Sequence, residues 1–378
     1  PLVLRNYTSP RILWASSAHA DSESPAFTNW DDEDPPKIPI GCAKCHSTWG
    51  YLDFLEDGTV DNEADVGTTI ECEACHNPAA LTMTSVTFHS GETLDGLGRD
   101  ASCMQCHQGR NSTGTVNAHI DAADAIDQDT VDDDLEFQDI HNQFVGDLLN
   151  GTWVQGGYEY DGLAYDAHFD HVAGASACMD CHNPHTLELD LGTCQTCHSE
   201  VVTAEDIKTV RRNGSEVDYD GDGSTSETLE AEIAGLQVKL YTALRSYAGE
   251  FSTQDIAYTP DTAPYFFHEE NNNGMVDEGE TTPYATWTGR MVRTAYNYHL
   301  SRHASGAYIH GAKYLIQLLY DSITDLNEVI STPVSLTNAN RVDAPHFNAA
   351  NRSWRNWDDD GAVPADCSRC HATSGYLE

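Results

Sequence analysis

All 12 cysteines of this chain fall into six copies of one pentapeptide, Cys-x-x-Cys-His. The copies are Cys42, Cys45 and His46; Cys72, Cys75 and His76; Cys103, Cys106 and His107; Cys178, Cys181 and His182; Cys194, Cys197 and His198; and Cys367, Cys370 and His371. Two thiols followed at once by an imidazole suit covalent attachment of a porphyrin. The thiols become thioethers to its vinyl groups, and the imidazole ligates the iron from one side. A lone Cys-x-x-Cys serves zinc sites and redox disulfides equally well. Six copies that each carry the histidine, with no cysteine left over, point instead to six haem c groups, each with its motif histidine as the proximal ligand.

An iron that only carries electrons is best closed by a ligand on its other face. Of 18 histidines six are used in the motifs, which leaves 12, twice what six bis-histidine haems require. The candidate distal ligands are His19, His141, His171, His185, His310 and His346. His19 and His346 occupy matching places in the repeat described below. His185 follows His182 by three residues, too near to reach the opposite face of the same haem but free to cap a neighbour. His171 precedes the fourth motif, His141 has apolar flanks, and His310 opens a helix. His119 and His299 are reserves, and His89, His168, His268 and His303 are read as surface or outlying positions.

These groups must be positioned by a chain of 378 residues of which 39% are hydrophobic. With six porphyrins to enclose, the expected fold is mainly α and coil with few strands, an extended multihaem arrangement wrapped around a haem chain. Motif spacing divides the chain into residues 1–198 with five motifs, a haem-free helical region 199–340 with candidate calcium loops, and residues 341–378 with the sixth. In the middle region, apolar residues at helical spacing predict helices over Leu229–Tyr247 and Tyr308–Val329, with a third around Trp287–His303.

The last region repeats the first. His19, Trp30, Asp31 and Asp32 recur with the same mutual spacing as His346, Trp357, Asp358 and Asp359, and Pro39, Cys42, Gly50, Tyr51 and Leu52 recur with theirs as Pro364, Cys367, Gly375, Tyr376 and Leu377. So many fixed offsets mark a duplicated unit.

The net charge is −42, from 61 Asp and Glu against 19 Lys and Arg. Such a field repels nucleic acid and anionic lipid headgroups, and it suits a salt-rich surrounding or bound divalent cations. Two acidic loops are candidate calcium sites. Glu269, Asn271, Asn273, Gly274, Asp277 and Glu280 follow the EF-hand loop apart from Glu at its first position. Asp218, Asp220, Asp222 and Gly223 open in the same way, with Glu230 as the closing carboxylate, one place late. The alternative for both is a solvated acidic turn. No signal peptide or apolar run of membrane-spanning length is present, so the chain reads as a processed soluble product or an excerpt of one. Covalent haem attachment takes place outside the cytoplasm, so an exported protein is expected.

The six motifs and the histidine-rich stretches between them resemble the multihaem c-type cytochromes of extracellular electron transfer. Within that group the chain looks like the hexahaem cytochromes that polymerise into extracellular filaments, or nanowires. The resemblance covers the haem motifs and not the middle region. It implies bis-histidine haems, a continuous haem chain, and a distal ligand sometimes donated across a subunit boundary. The expected function is extracellular electron transfer by a head-to-tail homopolymer, with a monomeric or complex-bound shuttle as the alternative. A reductase of nitrite, hydroxylamine or sulfur compounds is a third reading. All six motifs end in His and the field repels anions, which favours a carrier without catalysis of its own. The redox donor and acceptor are not legible.

Overall fold

The computed structural model describes residues 9–123, 127–141, 143–172, 174–211, 217–343, 361–363 and 368. Helix and coil dominate, and the described strands form three two-stranded sheets. The chain divides into two compact units: unit 1 is Pro1–Gln108 with Asp170–Ala204, and unit 2 is Gly109–Phe169 with Glu205–Glu378. The cysteine-free stretch 109–169 therefore packs with the helical unit, although five motifs flank it along the chain.

Unit 2 is built on three helices that pack on one another: α1 (Leu229–Phe251), α2 (Gly289–His303) and α3 (Ala312–Asn327). Thr228 caps α1 by accepting the Ala231 amide at 3.1 Å, and Glu230 and Glu232 lie in the first turn, where the helix dipole favours negative charge. Ile233, Leu236, Leu240, Leu244 and Tyr247 bury one stripe of α1. Thr288 caps α2 in the same way through Met291. The antiparallel pair β1 (Asp255–Tyr258) and β2 (Phe266–Glu269) sets Ile256 opposite His268.

The periodicity that predicts one helix over 308–329 is interrupted. Ala307–His310 is a separate turn, and α3 starts at Ala312. The break falls at Gly311, whose backbone approaches so closely that a Cβ there would lie 2.2 Å from the Leu148 carbonyl oxygen. Close packing at that residue overrides the apolar pattern.

Few cations are available, and unit 2 places several of them inside. Arg290, 2% exposed, donates Nε to Asp129 at 2.7 Å and also pairs with Asp325. Arg341 holds the buried Asp321 at 2.8 Å, and Arg211 holds the fully buried Glu232 at 2.9 Å. Among the described residues Asp147 has no cationic partner. It is buried in the helix Val145–Asn150, where its Oδ2 accepts the Gly109 amide at 2.6 Å. Burial pushes its pKa up to about 7, with that amide pulling the other way.

A carboxyl whose folded pKa lies above its unfolded value of 3.8 favours the fold while protonated, and that contribution is lost as pH rises through about 7. Replacing Asp147→Asn should therefore flatten the fall in stability of unit 2 between about pH 4 and pH 7. Thermal unfolding of both proteins across this range checks it; parallel profiles would show that Asp147 ionises freely in the fold.

Candidate functional site

Each described motif begins on a short helix. Ile40–His46 carries the first and is followed at once by the helix Thr48–Asp57, which Ser47 starts by accepting the Gly50 amide at 2.9 Å. The two helices touch at Gly50, where a Cβ would lie 2.3 Å from the Ala43 carbonyl oxygen. This close approach leaves no room for a side chain at Gly50, four residues after His46. His46 is aimed by its surroundings: Nδ1 donates to the Ala26 carbonyl at 2.7 Å, and Trp30 meets the ring edge-on at 5.2 Å between centres. Such an anchor leaves Nε2 as the metal-binding atom. His182 is set similarly, with Nδ1 3.3 Å from the Leu187 carbonyl.

Unit 1 gathers all five described motifs. The third touches the first through the Cys106 and Cys45 thiols, and Cys106 Sγ lies 3.8 Å from the Lys44 carbonyl. Cys103 touches Cys178 of the fourth, whose backbone amide donates to Asp100 at 3.1 Å. The Asp190 amide, at the cap of the fifth motif's helix, donates to the Cys181 carbonyl at 2.7 Å. The second motif lies against the helix Thr48–Asp57, where the Glu71 amide donates to Thr48 Oγ1 at 2.8 Å.

Three distal candidates stand opposite motif histidines. His19 faces His107 with ring centres 6.1 Å apart, His185 faces His76 at 6.1 Å, and His171 faces His198 at 6.2 Å. An imidazole nitrogen lies about 1.15 Å from its ring centre and a metal–imidazole bond is about 2 Å, so rings on opposite sides of one metal have centres about 6.3 Å apart. A direct N–H···N hydrogen bond would bring them to about 5 Å. The three spacings therefore fit an intervening iron. Burial lowers the pKa of His19, and burial followed by the nearness of His19 and His182 brings His107 down to about 4, so both rings keep the neutral, ligating form.

A further observation fits the haem. The apolar cluster described for unit 1 is Trp30, Ile38, Ala43 and Ala64, and the cysteine side chains around it are exposed or half-buried. Phe27, Tyr51, Val86, Phe88 and Met104 are buried elsewhere in unit 1, and ten thiols set among these apolar groups suit the enclosure of large flat apolar cofactors.

The other predicted ligands are distributed differently. His141 and His310 belong to unit 2, whereas the five described motif histidines belong to unit 1. His346, Cys367, Cys370 and His371 lie outside the described residues. His299, a reserve ligand in the sequence reading, is enclosed in the unit 2 core, with Nε2 2.9 Å from Asp139 and Nδ1 3.2 Å from the Tyr258 hydroxyl. Both ring nitrogens are thus engaged. The histidine surplus of the whole chain does not extend to unit 1, which holds nine: five in motifs, plus His19, His89, His171 and His185. Its own histidines can close four of its five irons.

In the first acidic loop, the carboxylates of Asp218, Asp220 and Asp222 converge, and Glu227 and Glu232 converge on Asp220. Glu230 does not close this loop. It lies in the first turn of α1 turned toward Lys208, at 3.3 Å, while Glu232, two residues on, is fully buried and accepts the amides of Tyr219 at 2.7 Å and Asp220 at 3.1 Å. A two-residue step around a helix changes the face, which an alignment to a loop pattern does not register. Burial, then the charges of Glu232, Asp222 and Asp220, push Glu227 up to about 7. In the second loop, Glu280 accepts the amides of Glu270 at 2.9 Å and Asp277 at 2.8 Å, and Asn271 and Asn273 both donate to Asp277 at 2.6 Å. Arg245 reaches Glu269 at 3.3 Å, so part of this loop's charge is already balanced.

No family model and no solved structure matches the chain. The chain is 24% identical to the C-type polyheme cytochrome OmcC of Geobacter sulfurreducens, over 87% of this chain and 49% of that protein. It is 23% identical to the C-type polyheme cytochrome OmcB of the same organism, over 87% and 50%. It is 24% identical to the multiheme cytochrome MtrA of Shewanella baltica, over 44% and 54%. The chain thus spans about half the length of the curated relatives it matches. It resembles multihaem c-type cytochromes, and the relatives support binding of haem c and a role in electron transfer.

The two glutamates of α1 give contrasting expectations. Glu232→Gln breaks a buried ion pair and should cost unit 2 about 3 kcal/mol or more. Glu230→Gln removes a half-exposed pair and should cost less than about 1 kcal/mol. Chemical denaturation of the two variants compares them; equal losses would mean that Glu232 is not the inward-facing residue.

Proposed function

We propose that the chain carries electrons through six haem c groups, one on each Cys-x-x-Cys-His motif, and has no catalytic reaction of its own. The observation that carries this reading is the convergence of five motifs in unit 1, with spare imidazoles facing motif imidazoles at 6.1–6.2 Å. Bound haem supplies a one-electron ferric/ferrous couple at each motif. The chain's own residues do the rest: cysteines fix the ring edges, motif histidines ligate from one side, and spare histidines close the other side against small molecules. His46 and His182 are oriented through carbonyl contacts at Nδ1. The predominance of acidic residues keeps small anions, the usual substrates of a multihaem reductase, away from the sites. Among the described residues no helix is long and apolar enough to cross a membrane. The proposed location is extracellular or on the cell surface, because covalent haem attachment belongs to exported proteins.

The finer reading is a head-to-tail polymer of this unit. His19 stands beside His107, two motifs beyond the one its own repeat unit leads into. Its counterpart His346 belongs to the copy that carries Cys367–His371. By the same rule His346 would serve a haem other than that of its own copy, and in a filament that haem can belong to a second chain. Calcium is proposed at Asp218, Asp220 and Asp222 with Glu227 and Glu232, and at Glu269, Asn271, Asn273, Asp277 and Glu280, as a structural ion for unit 2.

Two measurements check these readings. A pyridine haemochrome assay should return six haems per chain of 41.4 kDa, in a protein whose ferric spectrum is mainly low-spin; a count below six refutes the stoichiometry. Intact mass of the native protein separates a polymer of this unit from a longer covalent chain, and electron microscopy of the same material shows filaments or discrete particles. Chelation should lower the unfolding temperature of unit 2 without changing the haem spectrum; an unchanged transition removes calcium from the account.

A further inference from the structure

The three imidazole pairs do more than close irons, because each joins motifs that are separated in sequence. His19 lies near the start of the described chain but faces the third motif's His107, passing over the first and second. His185 is three residues beyond the fourth motif's own histidine yet faces His76 of the second. His171 precedes the fourth motif by seven residues and faces His198 of the fifth. None of the three candidates faces the motif nearest to it in sequence. For His185 the reason is geometric: a ligand three residues from a motif histidine cannot reach around a ring to its opposite face.

The cysteine contacts give an order to the same centres. Cys45 meets Cys106, and Cys103 meets Cys178, so the third motif bridges the first and the fourth. The backbone bond from Asp190 to Cys181 joins the fourth to the fifth. The second lies to the side, against the helix that follows the first motif, and is tied to the fourth through His76 and His185.

We propose that His19, His185 and His171 are the sixth ligands of the third, second and fifth haems respectively, and that the haems of unit 1 adjoin in the order first, third, fourth, fifth, with the second as a branch held to the fourth by the His182–His185 segment. This assignment rests on the haem reading above. It means that electrons crossing unit 1 do not follow the order of the motifs in the sequence.

The test is an epistasis experiment read by electron paramagnetic resonance on the haem-loaded protein. His185→Ala should convert one haem per chain from low-spin to high-spin ferric, and added imidazole should restore the low-spin signal. In a background lacking the second haem (Cys72→Ala, Cys75→Ala, His76→Ala), the same His185→Ala change should create no high-spin centre. A high-spin centre that still appears there overturns the assignment of His185. The matching pairs are His19→Ala with the third motif removed and His171→Ala with the fifth removed. If an alanine variant fails to accumulate, the His→Met variant keeps a ligand at the position, and one haem should gain the red absorption band of methionine ligation; no such band overturns that pairing. The haem count of the unaltered protein separates the two levels. Absence of haem defeats the functional reading itself, whereas a full count with the wrong epistasis defeats the pairing alone.

Discussion

Two imidazoles whose centres are about 6 Å apart do not hold each other. The span is too long for a direct hydrogen bond and gives two small rings little contact, and it matches the span of a metal held between them. The arrangement of unit 1 follows from this. Its segments are short helices and turns, and its described thiols are exposed or half-buried. Each of three proposed haems would join one pentapeptide, with its two cysteines and histidine, to a second histidine from another part of the sequence. Those cross-links take the part that a hydrophobic core plays in an ordinary domain. Unit 1 and its cofactors are therefore expected to be stable together and not separately, as is common when ligand binding is folding free energy.

Unit 2 solves the same problem by the opposite means. Long capped helices bury continuous apolar stripes, and arginines that are scarce in the sequence are placed where they neutralise buried acids. His299 illustrates the difference. In unit 1 a spare imidazole faces another imidazole; in unit 2 the same residue type is enclosed by a carboxylate and a tyrosine hydroxyl. The residue type alone does not separate these roles, because imidazole is both a good ligand and a good hydrogen-bonding core group.

The repeat links chemistry to packing. Trp30 and Gly50, which recur as Trp357 and Gly375, act on one imidazole and its helix: the tryptophan edge meets His46, and the missing Cβ lets the following helix seat against Ala43. In the first copy, these two residues aim a motif histidine, while His19 of the same copy faces a different motif.

The amino-acid sequence by itself determined the attachment chemistry, because Cys-x-x-Cys-His is a local motif whose function needs only neighbouring residues. It also determined the helical stripes of unit 2, the fold class and the acidic surface, all of which follow from local periodicity and composition. It misplaced what depends on direction in space. Glu230 and Glu232 lie two residues apart in the first turn of α1 but on different faces, and only the folded helix decides which meets Asp220. The helix predicted through residue 311 is divided because the Leu148 carbonyl occupies the space of a side chain. The facing of His19, His171 and His185 toward His107, His198 and His76 was decided by tertiary structure alone. Chain separation does not set these pairs: His171 faces His198 across 27 residues, whereas His19, equally far from His46, faces His107 instead.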